Sequence, residues 1–390
     1  MSLLCLALTV ATLADTVAPL PKPSGPLPVG TTIAYLTDFR RHDTHFPNGR
    51  PITLQLWYPA QRVGTTMARY LVEPRLGDVL KQQQYYGMDS ATLDRWAQLV
   101  THSSIDAPPA AGRYPLLAFS VGLGVIRANY TSIAEELASH GYVVAIVESP
   151  LQGLMALPDG RTVVDSTGEY GEPGPHRIGV QEWAGDISFA LDTLSRARRS
   201  SPLAQVARAI DTTRIGAIGH SSGGLVAIAA CEADRRLRAC VNMDGGVAGP
   251  DHQPLADFVT RGVSKPTLFL RSQPLYDDTT LARRGITREQ WVQRGEAGRV
   301  AFDTLRMRSR GPLWVALVAG TGHFSYSDAP FVMPSAIARF GGRIIAPSRG
   351  WTVITTAVRA FFDRELGPRG SGSGLRDLPA QVPELTVSVP

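Results

Sequence analysis

A chain of 390 residues, 44% hydrophobic and 19% charged, can bury a large core and suits one large α/β unit as well as two smaller domains. Its formal net charge of +5 is spread over small clusters at Arg196, Arg198 and Arg199, at Arg235, Arg236 and Arg238, and at Arg306, Arg308 and Arg310. These read as solvated helix faces and argue against nucleic-acid binding, while the mild basicity is compatible with weak peripheral contact with an anionic lipid surface.

The apolar run at residues 3–13 is too short to span a bilayer and precedes the first charged residue, Asp15. Residues 1–18 read as a signal peptide with small residues near Ala14 or Ala18 for cleavage, although the usual basic leader is absent, and they predict a secreted or periplasmic protein. Cys5 would leave with that segment and sits too close to Met1 for a lipid-attachment site. With only Cys231 and Cys240 remaining and no CxxC pair, a structural zinc site or a disulfide scaffold is disfavoured. Both cysteines read as small buried apolar residues rather than as a bridge.

After a Pro-rich lead-in at 19–28, residues 52–58 alternate apolar and polar side chains and predict a strand with one buried face. His42 and His45 lie too far from any third ligand to suggest a metal, and they read as an exposed loop. Residues 70–99 look largely helical after Pro74. Then the rhythm changes. Continuous apolar runs at 116–119, 142–147, 215–218, 240–243, 267–270 and 313–318 alternate with helical stretches at 130–139, 180–194 and 224–231. Strands that are apolar throughout and separated by helices predict a mostly parallel sheet covered on both faces. The expected α/β domain covers residues 28–366, followed by a Gly/Ser linker and tail at 367–390 that docks as an edge segment or trails. Trp183, Ile187 and Leu191 at helical spacing read as core, with Asp186 in a structural bond. Thr287 and Gln290 have capping-box spacing. Residues 70–99 and 276–310 are the candidates for a substrate-shaping cap.

Gly219-His220-Ser221-Ser222-Gly223 falls between the strand 215–218 and the helix 224–231. That context marks a nucleophile elbow, in which Ser221 occupies a sharp turn and only glycine fits two residues before and after it. The helix start aims backbone N–H groups at charge developing near Ser221. Serine needs a base held by a third group. His323 follows the last strong strand and is the expected base; of the other histidines only His252 also follows the elbow, in a Pro-flanked loop. His220 is expected to face supporting structure. For the acid, Asp244 at the end of the strand 240–243 is favoured, with Asp277 and Asp278 after the next strand as alternatives. The glycine turn after 116–119 places the Leu123 N–H toward the nucleophile, and with the Ser222 N–H it would make a two-donor oxyanion hole. No metal or cofactor is implied.

Taken together, these stretches resemble the platelet-activating factor acetylhydrolase family, the plasma type and its bacterial relatives, within the α/β-hydrolase superfamily. The likeness rests on residues 114–124 and 137–142, on Gly219-His-Ser-Ser-Gly-Gly224, on Asp244 placed 23 positions after Ser221 (244 − 221), and on Gly322-His-Phe-Ser-Tyr-Ser-Asp328. It spans roughly 29–366. The resemblance implies an α/β-hydrolase fold, calcium-independent hydrolysis of short or oxidised acyl esters of phospholipids through an acyl-enzyme, and Asp244 rather than Asp277 as the acid. Val121 stands where the plasma enzymes carry His, and Ser222 where they carry an aromatic. Cutinase-like polyester hydrolases share the Pro-x-x-x-x-Ser-x-Gly strand and the Ala-Ser-His-Gly sequence, and a cutinase- or lipase-like polyester or triglyceride hydrolase forms an alternative reading. A non-catalytic binding protein on the same scaffold is an alternative of another class, whose mark would be a broken triad.

Overall fold

The computed structural model describes residues 17–42, 45–73, 75–157, 159, 161–163, 176–197, 202–249, 253–273, 276–283, 285–334, 345–367 and 374–388. In chain order the main elements are β1 (Val29–Asp38), β2 (Arg50–Pro59), β3 (Met67–Arg69), α1 (Leu76–Gln82), α2 (Ser90–Gln98), β4 (Val100–Ile105), β5 (Tyr114–Ser120), α3 (Thr131–Ser139) and β6 (Val143–Glu148). A short pair β7 (Met155–Ala156) and β8 (Thr162–Val163) precedes α4 (His176–Ser195), α5 (Pro202–Ala209), β9 (Ile210–His220), α6 (Ser222–Ala233) and β10 (Leu237–Met243). Next come α7 (Asp257–Arg261), β11 (Thr267–Gln273), α8 (Asp278–Arg283), α9 (Arg288–Arg308), β12 (Leu313–Ala319), α10 (Ala329–Val332), α11 (Pro347–Leu366) and β13 (Leu385–Ser388).

Eleven strands form one sheet in the order β13-β12-β11-β10-β9-β5-β6-β2-β1-β4-β3. The centre, from β12 through β6, is parallel, while β2 and β13 join its two sides antiparallel. Because side chains alternate across a pleated strand, each central strand feeds two cores. Leu117, Phe119, Val144 and Ile146 face a core with Ile133 and Leu137 of α3 and Phe361 and Phe362 of α11. Leu116, Ala118, Val143 and Ala145 face the other, with Trp183 and Ile187 of α4 and Val226 and Ile228 of α6. This is the mostly parallel, doubly covered sheet that the apolar runs predict and the α/β-hydrolase arrangement that the resemblance implies, with α1, α2, α8 and α9 as helical insertions.

Residues 70–99 are largely helical after Pro74, as expected, in α1 and α2 with a left-handed turn between them at Gln84 and Tyr86, where φ is 46° and 50°. Two expectations need correction. The strand at 52–58 is buried on both faces: Ile52, Leu54, Leu56 and Tyr58 pack into one core, and α3 covers the other face at Trp57. Cys231 and Cys240 are joined in a disulfide, with their Cα atoms 6.4 Å apart. Helix α6 carries the chain back across the sheet to the edge where β10 begins, so its last turns lie over the start of that strand. The tail docks: Leu385–Ser388 pairs with Val315–Val318 of β12. Asp186 is fully buried and holds Arg50 Nε at 2.8 Å and Arg41 Nη2 at 2.6 Å, the expected structural bond. The capping box at Thr287 and Gln290 opens α9. The apolar segment 3–13 lies outside the described residues.

Candidate active site

Strand β9 ends at His220 and α6 begins at Ser222, leaving Ser221 alone at the turn with φ 57° and ψ −126°. Such a conformation is strained for a residue with a side chain and persists only where neighbours fix it. Here the Ser221 N–H donates to the Met243 carbonyl of the adjacent strand at 2.8 Å. The flanking glycines are steric necessities: a Cβ on Gly219 would lie 2.1 Å from the Gly223 oxygen, and one on Gly223 would lie 2.2 Å from the Ser120 oxygen. The pentapeptide is therefore closed by β5 on one side and by its own helix on the other.

His323 opens a single 3₁₀ turn, His323–Tyr326, just past β12. Its Nε2 is 3.0 Å from Ser221 Oγ, and its Nδ1 is 2.8 Å from Asp244 Oδ2. Asp244 follows the end of β10 with φ 56°, tied by its N–H to the Leu270 carbonyl at 2.8 Å. Its side chain has a further partner that no motif singles out. Ser272 of β11 donates its N–H to Oδ1 at 2.7 Å and its hydroxyl to Oδ2 at 2.9 Å. Burial opposes the charge on Asp244, but the hydrogen bond and charge of His323, with the Ser272 bonds, outweigh it. The carboxyl is held below its ordinary value of 3.8. A hydroxyl, an imidazole and an ionised carboxylate thus stand in a hydrogen-bonded line, the arrangement that lets a base take a proton from serine.

The alternative acids are placed elsewhere. Asp277 Oδ1 accepts the Thr280 N–H at 2.7 Å, and Asp278 holds Arg288 Nε at 2.9 Å, so both serve the α8–α9 insertion. His220 is 1% exposed and points away from the serine hydroxyl; burial, and then the charge of His323, lower it from 6.5 to about 3. His252 lies outside the described residues.

The Leu123 turn faces the elbow. The Gly122 carbonyl accepts the Val125 N–H at 3.1 Å. Because the peptide unit is planar and trans, the Leu123 N–H is directed the opposite way. The Gly124 N–H is engaged by the Gln152 carbonyl at 2.7 Å, and Gln152 Nε2 donates to the Val121 carbonyl at 2.8 Å. Among the described residues the N–H groups of Leu123 and Ser222 have no protein acceptor. Gln152 sits in a Gly/Pro-containing loop where nothing in the local sequence distinguishes it.

Against known proteins, the family model described as platelet-activating factor acetylhydrolase, isoform II, matches residues 13–150 and 197–370. The chain is 27% identical to a platelet-activating factor acetylhydrolase of Canis lupus familiaris over 56% of this chain and 51% of that one. It is 25% identical to a probable 1-alkyl-2-acetylglycerophosphocholine esterase of Arthroderma benhamiae over 59% of each. The matched regions therefore span less than two thirds of these relatives. Among solved structures, a ferulic acid esterase from Streptomyces cinnamoneus superposes with a TM-score of 0.75 and 27% identity, over 95% of this chain and 99% of that one. The family match reaches across the glycine turn, the elbow, Asp244 and the His323 loop, and on that extent the chain belongs to the platelet-activating factor acetylhydrolase, isoform II, family.

Proposed function

We propose that the protein is a serine carboxylic-ester hydrolase, and that its substrates are short or oxidised acyl esters, phospholipids among them. The observation that carries this reading is the line Ser221 Oγ, His323 and Asp244, with spacings of 3.0 and 2.8 Å. In this reading His323 Nε2 takes the Ser221 proton as Oγ attacks the ester carbonyl. The resulting oxyanion is held by the N–H groups of Leu123 and Ser222. Collapse expels the alcohol, which His323 protonates, and leaves an acyl-Ser221. Water, deprotonated by His323, then attacks the acyl carbon, and return of that proton to Oγ releases the acid. Asp244 stabilises the imidazolium formed twice in each cycle.

The family relatives named acetylhydrolases support a short acyl group. The near-complete superposition on a ferulic acid esterase supports a second reading, an aromatic acyl ester on the same machinery. The Cys231–Cys240 disulfide supports folding in an oxidising compartment, and with it export. No described helix is long and apolar enough to cross a membrane.

The test is a panel of short-chain phosphatidylcholines, p-nitrophenyl acetate, methyl ferulate, triglyceride and polyester film, run on wild type and Ser221→Ala. Turnover that disappears in Ser221→Ala supports the nucleophile, and the preferred panel member identifies the acyl group. Full turnover in that variant would remove Ser221 as the nucleophile, and a wild type that no fluorophosphonate probe labels and that turns over no panel member would return the chain to a binding role on a hydrolase scaffold.

A further inference from the structure

The residue before the nucleophile is not idle. His220 Nδ1 is 2.9 Å from Tyr130 Oη, and His220 Nε2 is 2.8 Å from the backbone oxygen of His323. Tyr130 Oη in turn accepts the Gly122 N–H at 2.9 Å. Both side chains are sealed from water: Tyr130 is 0% and His220 1% exposed.

Donor and acceptor capacity fixes every proton in this chain. The His323 carbonyl can only accept, so His220 Nε2 carries a hydrogen and donates it. A neutral ring then has Nδ1 as an acceptor, which takes the Tyr130 hydroxyl proton. The phenol oxygen is left to accept the Gly122 N–H. The direction runs one way, from Gly122 N–H to Tyr130, to His220, to His323, with no polar atom unpaired.

The ends of this chain matter. Gly122 immediately precedes Leu123, whose N–H is the proposed oxyanion donor, and His323 supplies the proposed base from the residue whose carbonyl is held. The middle is bonded covalently to Ser221. Space enforces the contact: a Cβ on Gly122 would come within 3.0 Å of Tyr130 Oη and 3.4 Å of both His220 Nδ1 and Ser221 Cβ. Rings fill the surroundings, with Tyr326 stacked on His220 at 6.1 Å between centroids and Phe119 against Tyr130 at 4.9 Å.

We propose that Tyr130 and His220 are positioning residues, a hydrogen-bonded brace that holds the oxyanion turn and the His323 loop in register with Ser221. The inference rests on the reading of Ser221 as nucleophile. It assigns the two side chains no contact with substrate. A buried chain of this kind has two costs when cut: the orphaned partners lose their bonds, and the two loops lose their common reference.

The experiment compares wild type with Tyr130→Phe and His220→Gln on p-nitrophenyl acetate, with rates normalised to sites titrated by a fluorophosphonate probe. Each variant should lose roughly 10- to 100-fold in kcat per titrated site, with KM changed less than about twofold. The double variant should be little worse than the worse single one, because both cut the same chain. A purely structural role would lower the titrated fraction and leave kcat per site intact, and that result would overturn the brace. In wild type, nitrogen-15 correlation spectra should find His220 neutral with its proton on Nε2 from pH 5 to 8. A proton on Nδ1 would overturn the brace even if neither variant folds. A wild type that is neither labelled nor active defeats the hydrolase reading instead, since the tautomer measurement does not depend on activity.

Discussion

Ser272 holds Asp244 by both carboxylate oxygens: its N–H reaches Oδ1 at 2.7 Å, and its hydroxyl reaches Oδ2 at 2.9 Å. Oδ2 is also the oxygen bonded to His323 Nδ1. The carboxylate is therefore oriented by the strand beside its own, and the imidazole by the carboxylate. Removing the hydroxyl in Ser272→Ala leaves the backbone bond in place. We expect kcat/KM on p-nitrophenyl acetate to fall roughly tenfold, the lower end of the effect of one hydrogen bond to a charged group. An unchanged value would mean that the backbone N–H alone orients Asp244.

Asp244→Asn puts an uncharged group against His323 Nδ1 and removes the stabilisation of the imidazolium. A loss of roughly 10³- to 10⁴-fold in kcat is expected. Asp277→Asn, whose carboxylate accepts the Thr280 N–H in the α8–α9 insertion, should keep kcat near wild type. Steady-state kinetics of the pair decide between the two carboxylates, and the reverse ranking would move the acid to the later strand.

Two buried carboxyls beside the His323 loop predict the pH dependence of stability. Asp328 accepts the N–H and hydroxyl of Ser132, and Glu135 accepts the His102 N–H at 2.8 Å and the Ser103 hydroxyl at 2.5 Å. Burial raises Asp328 from 3.8 to about 7. Burial, joined by the charge of Asp328, raises Glu135 from 4.5 to about 8. Between those limits the folded chain keeps protons that the unfolded chain has released, so stability falls as pH rises from about 4 to 8. Melting temperatures across that range should decline, and Asp328→Asn with Glu135→Gln should flatten the decline. An identical slope in the double variant would assign the pH dependence to other groups.

The Cys231–Cys240 bridge closes a short loop between α6 and β10. Closure of about ten residues removes unfolded-state entropy worth roughly 2–3 kcal/mol. Replacing both cysteines by alanine should lower the urea midpoint accordingly while the Ser221–His323 spacing, set at the opposite sheet edge, keeps kcat close to wild type. A midpoint unchanged under non-reducing conditions would indicate that the bridge adds no stability.

The central strands were legible because each is apolar on both faces, a pattern that only a sheet covered by helices on both sides accommodates. Ser221 was legible for a local reason: Gly219 and Gly223 leave room that a Cβ would fill, and that constraint is written within five residues. His323 was expected from its place after the last strand, while the strand ends left Asp244, Asp277 and Asp278 open with Asp244 favoured, and it is Asp244 that lies within hydrogen-bond distance of His323. Other features were not legible. Strand β1, punctuated by Gly30, Thr31 and Thr32, carries no continuous apolar run, and β2 shows its second buried face only once α3 packs over it. The disulfide depends on where α6 returns, and the hold of Ser272 on Asp244 depends on the register of β10 with β11. The brace from Gly122 through Tyr130 and His220 to His323 joins four segments up to 201 residues apart in sequence (323 − 122). The sequence by itself determined which residues could do chemistry, because sterics and hydrophobic periodicity act over a few residues. Only the tertiary structure decided which side chains orient them, because hydrogen-bond partners are chosen by distances that strand pairing sets.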